Sequence, residues 1–327
     1  MDTLTDPVGR LRAVTRVDWT PHDIPDLTDR RALVTGVTSG VGEYTALELA
    51  RKGAEVVMAG RSEERLSRAV ADVQREVPDA TMRPLLLDLA DLDSVRRAAA
   101  EAASYGPLDI LVNNAGVMAT PHRRTRDGFE LQLGTNHLGH FALTGLLLPQ
   151  LVAAGTERDR ARVVTVTSGM HRFARRVPTG DPRIDHGGYS KWRAYARSKL
   201  ANLLFTFELD RRARATGLPV TSVAAHPGLA STNLVDSGVN LAGTKPDGAL
   251  LLGVFRLVGQ SPARGAWPSL MAATAPDLPG GTFVGPRGPF ELNGAPVVVQ
   301  PSRAARDAAK AGELWALSEQ ATGVAFP

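Results

Sequence analysis

Tyr195 and Lys199 stand four residues apart in Tyr-Ala-Arg-Ser-Lys, inside a segment whose pattern predicts a helix. Positions i and i+4 share one helix face, so the phenol and the ammonium can enter a single site. A free tyrosine, with a pKa of about 10, is a poor base near neutrality. A neighbouring lysine cation favours the phenolate. Lowering that pKa by about 2–3 units takes roughly 3–4 kcal/mol of charge stabilisation. Such a pair suits general acid–base work on a carbonyl or alcohol oxygen. Ser168 ends the β-branched run Arg162–Thr167, where its hydroxyl can hold the same oxygen. The Tyr-x-x-x-Lys spacing also fits an exposed helix face, so the pair alone decides nothing. Tyr189 is a competitor, but arginine rather than lysine follows it at Arg193, which favours Tyr195.

A second group of residues suits a dinucleotide. The apolar run Ala32–Gly36 leads straight into Thr35-Gly36-Val37-Thr38-Ser39-Gly40-Val41-Gly42. Glycines at a strand-to-helix turn admit positive φ and let backbone approach a phosphate closely. A helix starting near Val41 aims its N-terminal N–H groups and the positive end of its dipole at that turn, where a pyrophosphate would sit. Gly36, Ser39, Gly40, Val41 and Gly42 are therefore the candidate cradle. The spacing is not G-x-G-x-x-G, and a plain tight turn would use the same glycines. In a dinucleotide fold an acid about 20 positions past the glycines binds a ribose 2′-hydroxyl, while an arginine there accommodates a 2′-phosphate. Arg61 occupies that place at the end of the second strand, and Glu55 lies at the wrong end of it. This favours NADP over NAD without excluding NAD; the alternative is that Arg61 is a surface charge at a helix start. Asp88, in Leu87-Asp88-Leu89, is placed to accept from an adenine amine or to cap the next helix. Asn113-Asn114-Ala115-Gly116 puts two amides and two small residues at a strand's carboxyl end, which suits a ligand pressed against backbone.

Alternating strands and helices must position these groups. Ala32–Gly36, Glu55–Ala59, a run ending at Leu85–Leu87, Leu108–Val112, Arg162–Thr167 and Pro219–Ala225 read as strands. Val41–Lys52, Ser62–Glu76, Asp91–Ala103, most of Thr125–Ala154 and Ala194–Thr216 read as helices, with Ser62 as an N-cap. Short, continuous apolar strands separated by longer helices imply βαβ units around a parallel sheet covered on both faces. The expected architecture is one α/β domain over 29–327, with about seven strands, preceded by an extension over 1–28. His171–Arg193 and Asn233–Ser261 stand out as loops. The second lies within a region, about 229–268, expected either to close over an apolar substrate as a lid or to pack as a surface subdomain.

Composition narrows the function. The 327 residues include no cysteine, which excludes disulfides, thiolate catalysis and cysteine-ligated metals, and fits a reducing cytoplasm. The histidines His137, His140, His171 and His226 do not follow a metal-ligand spacing and are read as packing or hydrogen-bonding residues. The net charge of +4 comes from arginines dispersed among acids, so no nucleic-acid surface is expected. The most apolar stretches, Phe141–Gly155 and Gly248–Gly259, are shorter than the roughly 20 residues of a membrane span and are interrupted by Pro149 or Arg256. No signal peptide and no membrane span are expected.

Together, Thr35-Gly-x-x-x-Gly-x-Gly42, Asn113-Asn-Ala-Gly116, Ser168, Tyr195-x-x-x-Lys199 and Pro227-Gly228 resemble the short-chain dehydrogenase/reductase family, in its order and at its spacings. Asn136-His137-Leu138-Gly139-His140-Phe141 and Ser198-Lys199-Leu200-Ala201-Asn202 are similar to its retinol-dehydrogenase and WW-domain-oxidoreductase branch. The tail from Gly285-Pro286 to Trp315 is similar to bacterial members of that branch. The resemblance implies a Rossmann fold and a hydride transfer between NADP and a carbonyl or alcohol of a small molecule. It implies Tyr195 as acid or base, Lys199 on the nicotinamide ribose, Ser168 on the substrate oxygen, and Asn136 ordering a water behind Lys199. Asn113, Asn114, Ala115 and Gly116 would support the adenosine side; Pro227, Gly228 and Thr232 would lie by the nicotinamide. A homo-oligomer built through long helices such as Ala194–Thr216 is a further expectation. The competing reading is an NADP-binding sensor or scaffold without turnover; intact Asn136, Ser168, Tyr195 and Lys199 favour the enzyme.

Overall fold

The computed structural model describes residues 18–177, 180–183, 188–229 and 259–326. The chain enters through β1 (Arg31–Thr35), crosses α1 (Val41–Arg51) and returns in β2 (Glu55–Gly60). It continues through α2 (Glu63–Glu76), β3 (Met82–Leu86), α3 (Leu92–Ala103) and β4 (Ile110–Asn113). The helix starts carry their caps: Ser62 accepts from the Arg65 N–H, and Asp91 accepts from the Asp93 and Ser94 N–H groups.

The stretch expected to be mostly helical over 125–154 is broken. A short turn, Leu131–Leu133, leads into a π-helical turn, Gly134–Leu138, before α4 (Gly139–Leu146) and α5 (Leu148–Ala154). Then come β5 (Ala161–Val166), a 3-10 turn at Gly169–Phe173, α6 (Lys191–Ala215), β6 (Val220–Ala225) and α7 (Pro262–Thr274). The chain closes with β7 (Phe283–Pro286), β8 (Pro296–Val298) and α8 (Ala308–Thr322).

Among the described residues eight strands lie in one sheet, in the order β3-β2-β1-β4-β5-β6-β7-β8. Pairing is parallel from β3 to β7, and β8 runs antiparallel on the edge. The doubly wound Rossmann architecture expected from the sequence is present, with one strand more than expected. β8 is three residues long and opens with proline, a residue tolerated at a strand's start or on an edge. Strand order reverses between β1 and β4, and ligands in such sheets bind beyond the carboxyl ends of the strands at that point.

Two large apolar clusters cover the two faces. One holds Val34, Ala46, Leu49, Met58, Leu270 and Met271; the other holds Leu33, Val95, Leu111, Phe141, Leu143 and Phe205. Trp19, Ile24 and Leu27, from the expected N-terminal extension, pack into the first. Residues 1–17, and residues 230–258 of the expected lid, including Thr232, lie outside the described residues. Among the described residues no single helix is long and apolar enough to cross a membrane; a pair bent by 55°, Leu131–Leu146 with Leu148–Ala154, meets the test jointly. That pair contributes Leu138, Phe141, Leu143 and Leu151 to the core, each 0–1% exposed.

Candidate active site

The glycine turn leaves β1 at Thr35 and presses against the segment leaving β4. Gly36 has φ +75°, and a Cβ there would stand 2.8 Å from Ala115 Cα. A Cβ on Gly42 would stand 2.4 Å from both Asn114 Nδ2 and the Gly36 carbonyl oxygen. Asn114 fixes the crossing by donating from Nδ2 to the Thr35 carbonyl at 2.8 Å. The Thr35 hydroxyl accepts from the Asn114 and Ala115 N–H groups, both at 3.0 Å. Gly40 caps α1 at φ +70°, and Ser39 beside it is exposed. A concave backbone that side chains cannot enter, ending on the N-terminus of an 11-residue helix, fits a pyrophosphate.

Arg61 follows β2, is exposed and makes no ion pair among the described residues, so its guanidinium is available to a phosphate. Asp88 accepts from the Ala90 N–H at 2.9 Å, while Asp91 caps the helix. Leu89 is buried in the second core cluster.

Four polar side chains converge where the ends of β4 and β5 meet α6 and the π-helical turn. The Ser168 hydroxyl lies near enough to the Tyr195 phenol to favour its phenolate. Lys199 Nζ lies 5.8 Å from the Tyr195 ring centroid and donates to the Val166 carbonyl at 3.1 Å. Asn136 is fully buried; its Oδ1 accepts from the Val117 N–H at 2.8 Å and its Nδ2 donates to the Ser198 hydroxyl at 2.9 Å. A Cβ on Gly116 would stand 3.0 Å from Asn136 Oδ1 and 3.6 Å from Lys199 Nζ, so this glycine lets the strand end meet both groups.

The spacing of Tyr195 and Lys199 predicts a lowered phenol pKa. In this structure burial pushes the phenol up to about 12, and the nearby Ser168 hydroxyl offsets only part of that. Burial also pushes the Lys199 ammonium down to about 8. Desolvation is the larger cause for the phenol and the only resolved cause for the ammonium. Below pH 8 the pair is therefore a neutral phenol beside an ammonium, which is poised to give a proton.

Pro227 and Gly228 follow β6. Gly228 has φ +63°, and a Cβ there would meet the Leu292 carbonyl at 2.4 Å. The Pro227 carbonyl accepts from Gln260 Nε2 at 2.7 Å.

Sequence reasoning missed a second set of polar groups around the site. Glu291 sits between β7 and β8 at φ +58°, next to Phe290 at φ +54°. Both are non-glycine residues in the left-handed region, a conformation that persists only where contacts enforce it. His226 Nε2 lies 3.0 Å from Glu291, and Arg172 donates to the same carboxylate at 2.6 Å. His226 accepts from the Gly228 N–H at 3.2 Å, so its Nε2 carries the proton that Glu291 receives. Glu291 thereby links the wall after Ser168 to the Pro227-Gly228 corner. Tyr189, the competitor, donates to the Thr120 carbonyl at 3.0 Å and accepts from Gln132 at 2.8 Å, away from Lys199. Apart from the His226–Gly228 bond, no local pattern announces these contacts, because their partners are 57 to 119 positions apart.

A sheet reversed between β1 and β4, a glycine cradle at that point and a buried Tyr–Lys–Asn group beside the half-buried Ser168 define a dinucleotide-dependent oxidoreductase. The chain belongs to the short-chain dehydrogenase/reductase family, on its retinol-dehydrogenase-like side. The model of the short chain dehydrogenase family matches residues 30–179. Polyprenol dehydrogenase of Mus musculus is 42% identical over 315 residues, spanning 94% of this chain and 88% of that protein. Retinol dehydrogenase 13 of Homo sapiens is 37% identical over 302 residues, spanning 91% and 86%. An uncharacterized protein of Mycobacterium paratuberculosis, solved by crystallography, matches with a TM-score of 0.75 and 44% identity, covering 94% of this chain and 99% of that one.

Proposed function

We propose that the protein interconverts an apolar ketone or aldehyde and its alcohol, using NADP(H) in preference to NAD(H). The observation that carries this reading is the convergence of Tyr195, Ser168, Lys199 and Asn136 beside Gly116. The dinucleotide supplies or accepts the hydride when bound. Gly36, Ser39, Gly40, Val41 and Gly42 would hold its pyrophosphate and Arg61 its 2′-phosphate. Asp88, Leu89, Asn114, Ala115 and Gly116 would line the adenosine side; Pro227, Gly228 and Thr232 would line the nicotinamide side.

In reduction, Ser168 holds the carbonyl oxygen and the neutral Tyr195 phenol gives it a proton as negative charge develops there. In oxidation the roles reverse, and the phenolate needs positive charge from Lys199 and from an oxidised nicotinamide. Asn136, locked to Val117 and Ser198, is placed to order a water behind Lys199. An apolar substrate is supported by the names of two similar proteins, polyprenol dehydrogenase and retinol dehydrogenase 13.

A fluorescence titration with NADPH and then NADH, followed by an apolar carbonyl screen, tests the reading. We expect tighter NADPH binding and NADPH-dependent turnover. In Arg61→Asp, NADPH affinity should fall about tenfold or more while NADH affinity holds. No binding of either dinucleotide by the folded protein would refute the function; an unchanged NADPH/NADH ratio in Arg61→Asp would refute the cofactor assignment.

A further inference from the structure

His140 lies four residues after Asn136, where the π-helical turn passes into α4. It is 1% exposed, and both ring nitrogens have partners: Nδ1 lies 3.1 Å from the Asn136 carbonyl oxygen and Nε2 lies 2.9 Å from the Thr35 hydroxyl. The partners fix the tautomer. A carbonyl oxygen only accepts, so Nδ1 carries the proton. The neutral ring then has a lone pair on Nε2, so the Thr35 hydroxyl donates to it. That leaves the Thr35 oxygen free to accept from the Asn114 and Ala115 N–H groups, as it does at 3.0 Å each. The opposite tautomer would set the Nδ1 lone pair against a carbonyl lone pair. Burial, reinforced by the nearby Lys199 ammonium, pushes the imidazole down to about 4, so the ring is neutral at pH 7.

We propose that His140 is a positioning residue for hydride transfer: a neutral, single-tautomer strut that ties the Asn136 carbonyl to the glycine turn through Thr35. The proposal rests on the reading of the site given above. One end of the strut is the residue that brackets Val117 and Ser198 and sits against Gly116 near Lys199. The other end is the hydroxyl that holds the Asn114-Ala115 backbone over the cradle. The proton-handling side and the phosphate-binding side of the site are thus joined through one imidazole. The strut runs through two unlike hydrogen bonds, so different substitutions remove different ends. Phenylalanine fills the volume and bonds to neither end. Asparagine offers a donor in the place of Nδ1–H, and glutamine an acceptor in the place of Nε2.

The test joins spectroscopy to kinetics. In protein labelled with ¹⁵N-histidine, with His140→Phe used for assignment, the His140 resonances should report the Nδ1–H tautomer, unchanged from pH 8 to pH 5. With NADPH and an active carbonyl, His140→Phe should lose about tenfold or more in kcat, the scale of an unmade buried hydrogen bond. His140→Asn should recover kcat and His140→Gln should recover NADPH affinity, each in part; these variants also serve if His140→Phe folds poorly. An Nε2–H tautomer in an active enzyme overturns the strut alone. So does a His140→Phe enzyme within twofold of wild type, or asparagine and glutamine variants no better than phenylalanine. Absent turnover in the wild-type protein overturns the site reading itself, and the positioning role with it.

Discussion

Burial moves Tyr195 and Lys199 toward their neutral forms by the same cause, loss of water around the charge. For Lys199 the consequence reaches stability. Its ordinary value of 10.5 falls to about 8 on folding, so the unfolded chain binds the proton more tightly. Between pH 8 and 10.5 the unfolded state holds more protons, and stability rises with pH across that window. Below it the buried ammonium opposes folding in full. Lys199→Met should therefore raise stability at pH 7 by about 1–3 kcal/mol, read by urea unfolding, while turnover disappears. The Val166 carbonyl is not orphaned by the change, since Asn202 Nδ2 also donates to it at 3.1 Å. A less stable Lys199→Met would show that the ammonium is not desolvated as the structure has it. The residue types of this site were legible in the sequence; the direction of the tyrosine shift was not, because spacing reveals a neighbour's charge but not the depth of burial.

The elements that position these groups are the glycine turn, the segment after β4 and the π-helical turn. A methyl group at Gly42 would overlap the Asn114 amide and the Gly36 carbonyl, neither of which can retreat from a packed backbone. Gly42→Ala should weaken NADPH binding at least tenfold in the fluorescence titration and cost about 1–3 kcal/mol of stability. Unchanged binding would mean that the turn is not the cradle. Six of the strands and the helices joining them were readable from apolar runs and helix periodicity, because each forms by local rules. β7 and β8 were not: Phe283-Val-Gly-Pro286 and Pro296-Val-Val298 are too short to show a pattern and owe their pairing to β6. The interruption at Gly134–Leu138 was equally silent, since its residues suit any helix. Glu291 shows the limit most clearly. Its strained backbone and its bonds to Arg172 and His226 exist only once β7, β8 and the two walls of the site are assembled.

At the scale of the whole molecule, α8 lies across α4 and α6 and seals an aromatic cluster. Trp315 stands 5.1 Å from the Phe141 ring and 4.7 Å from that of Phe326. His137 is buried in the same cluster, 6.0 Å from Phe205, and burial pushes its pKa down to about 3. An unfolded histidine titrates near pH 6.5. This neutral ring therefore contributes stability that is complete above that pH and is lost as pH falls toward 3. Glu130 and Asp210, whose carboxyls burial raises, act in the opposite sense, so the share of His137 is best isolated by a variant. Between pH 7 and 5, His137→Phe should lose about 1–2 kcal/mol less stability than the wild-type protein. Equal losses would place the ring in water. The acid–base role of the Tyr195 phenol is checked by Tyr195→Phe. Turnover and NADPH affinity should be measured side by side on the wild-type and variant proteins. In Tyr195→Phe, kcat should fall about 10²-fold or more, with NADPH affinity within about twofold of wild type. A variant that turns over at the wild-type rate would remove Tyr195 from this role, because the proton would then come from another group.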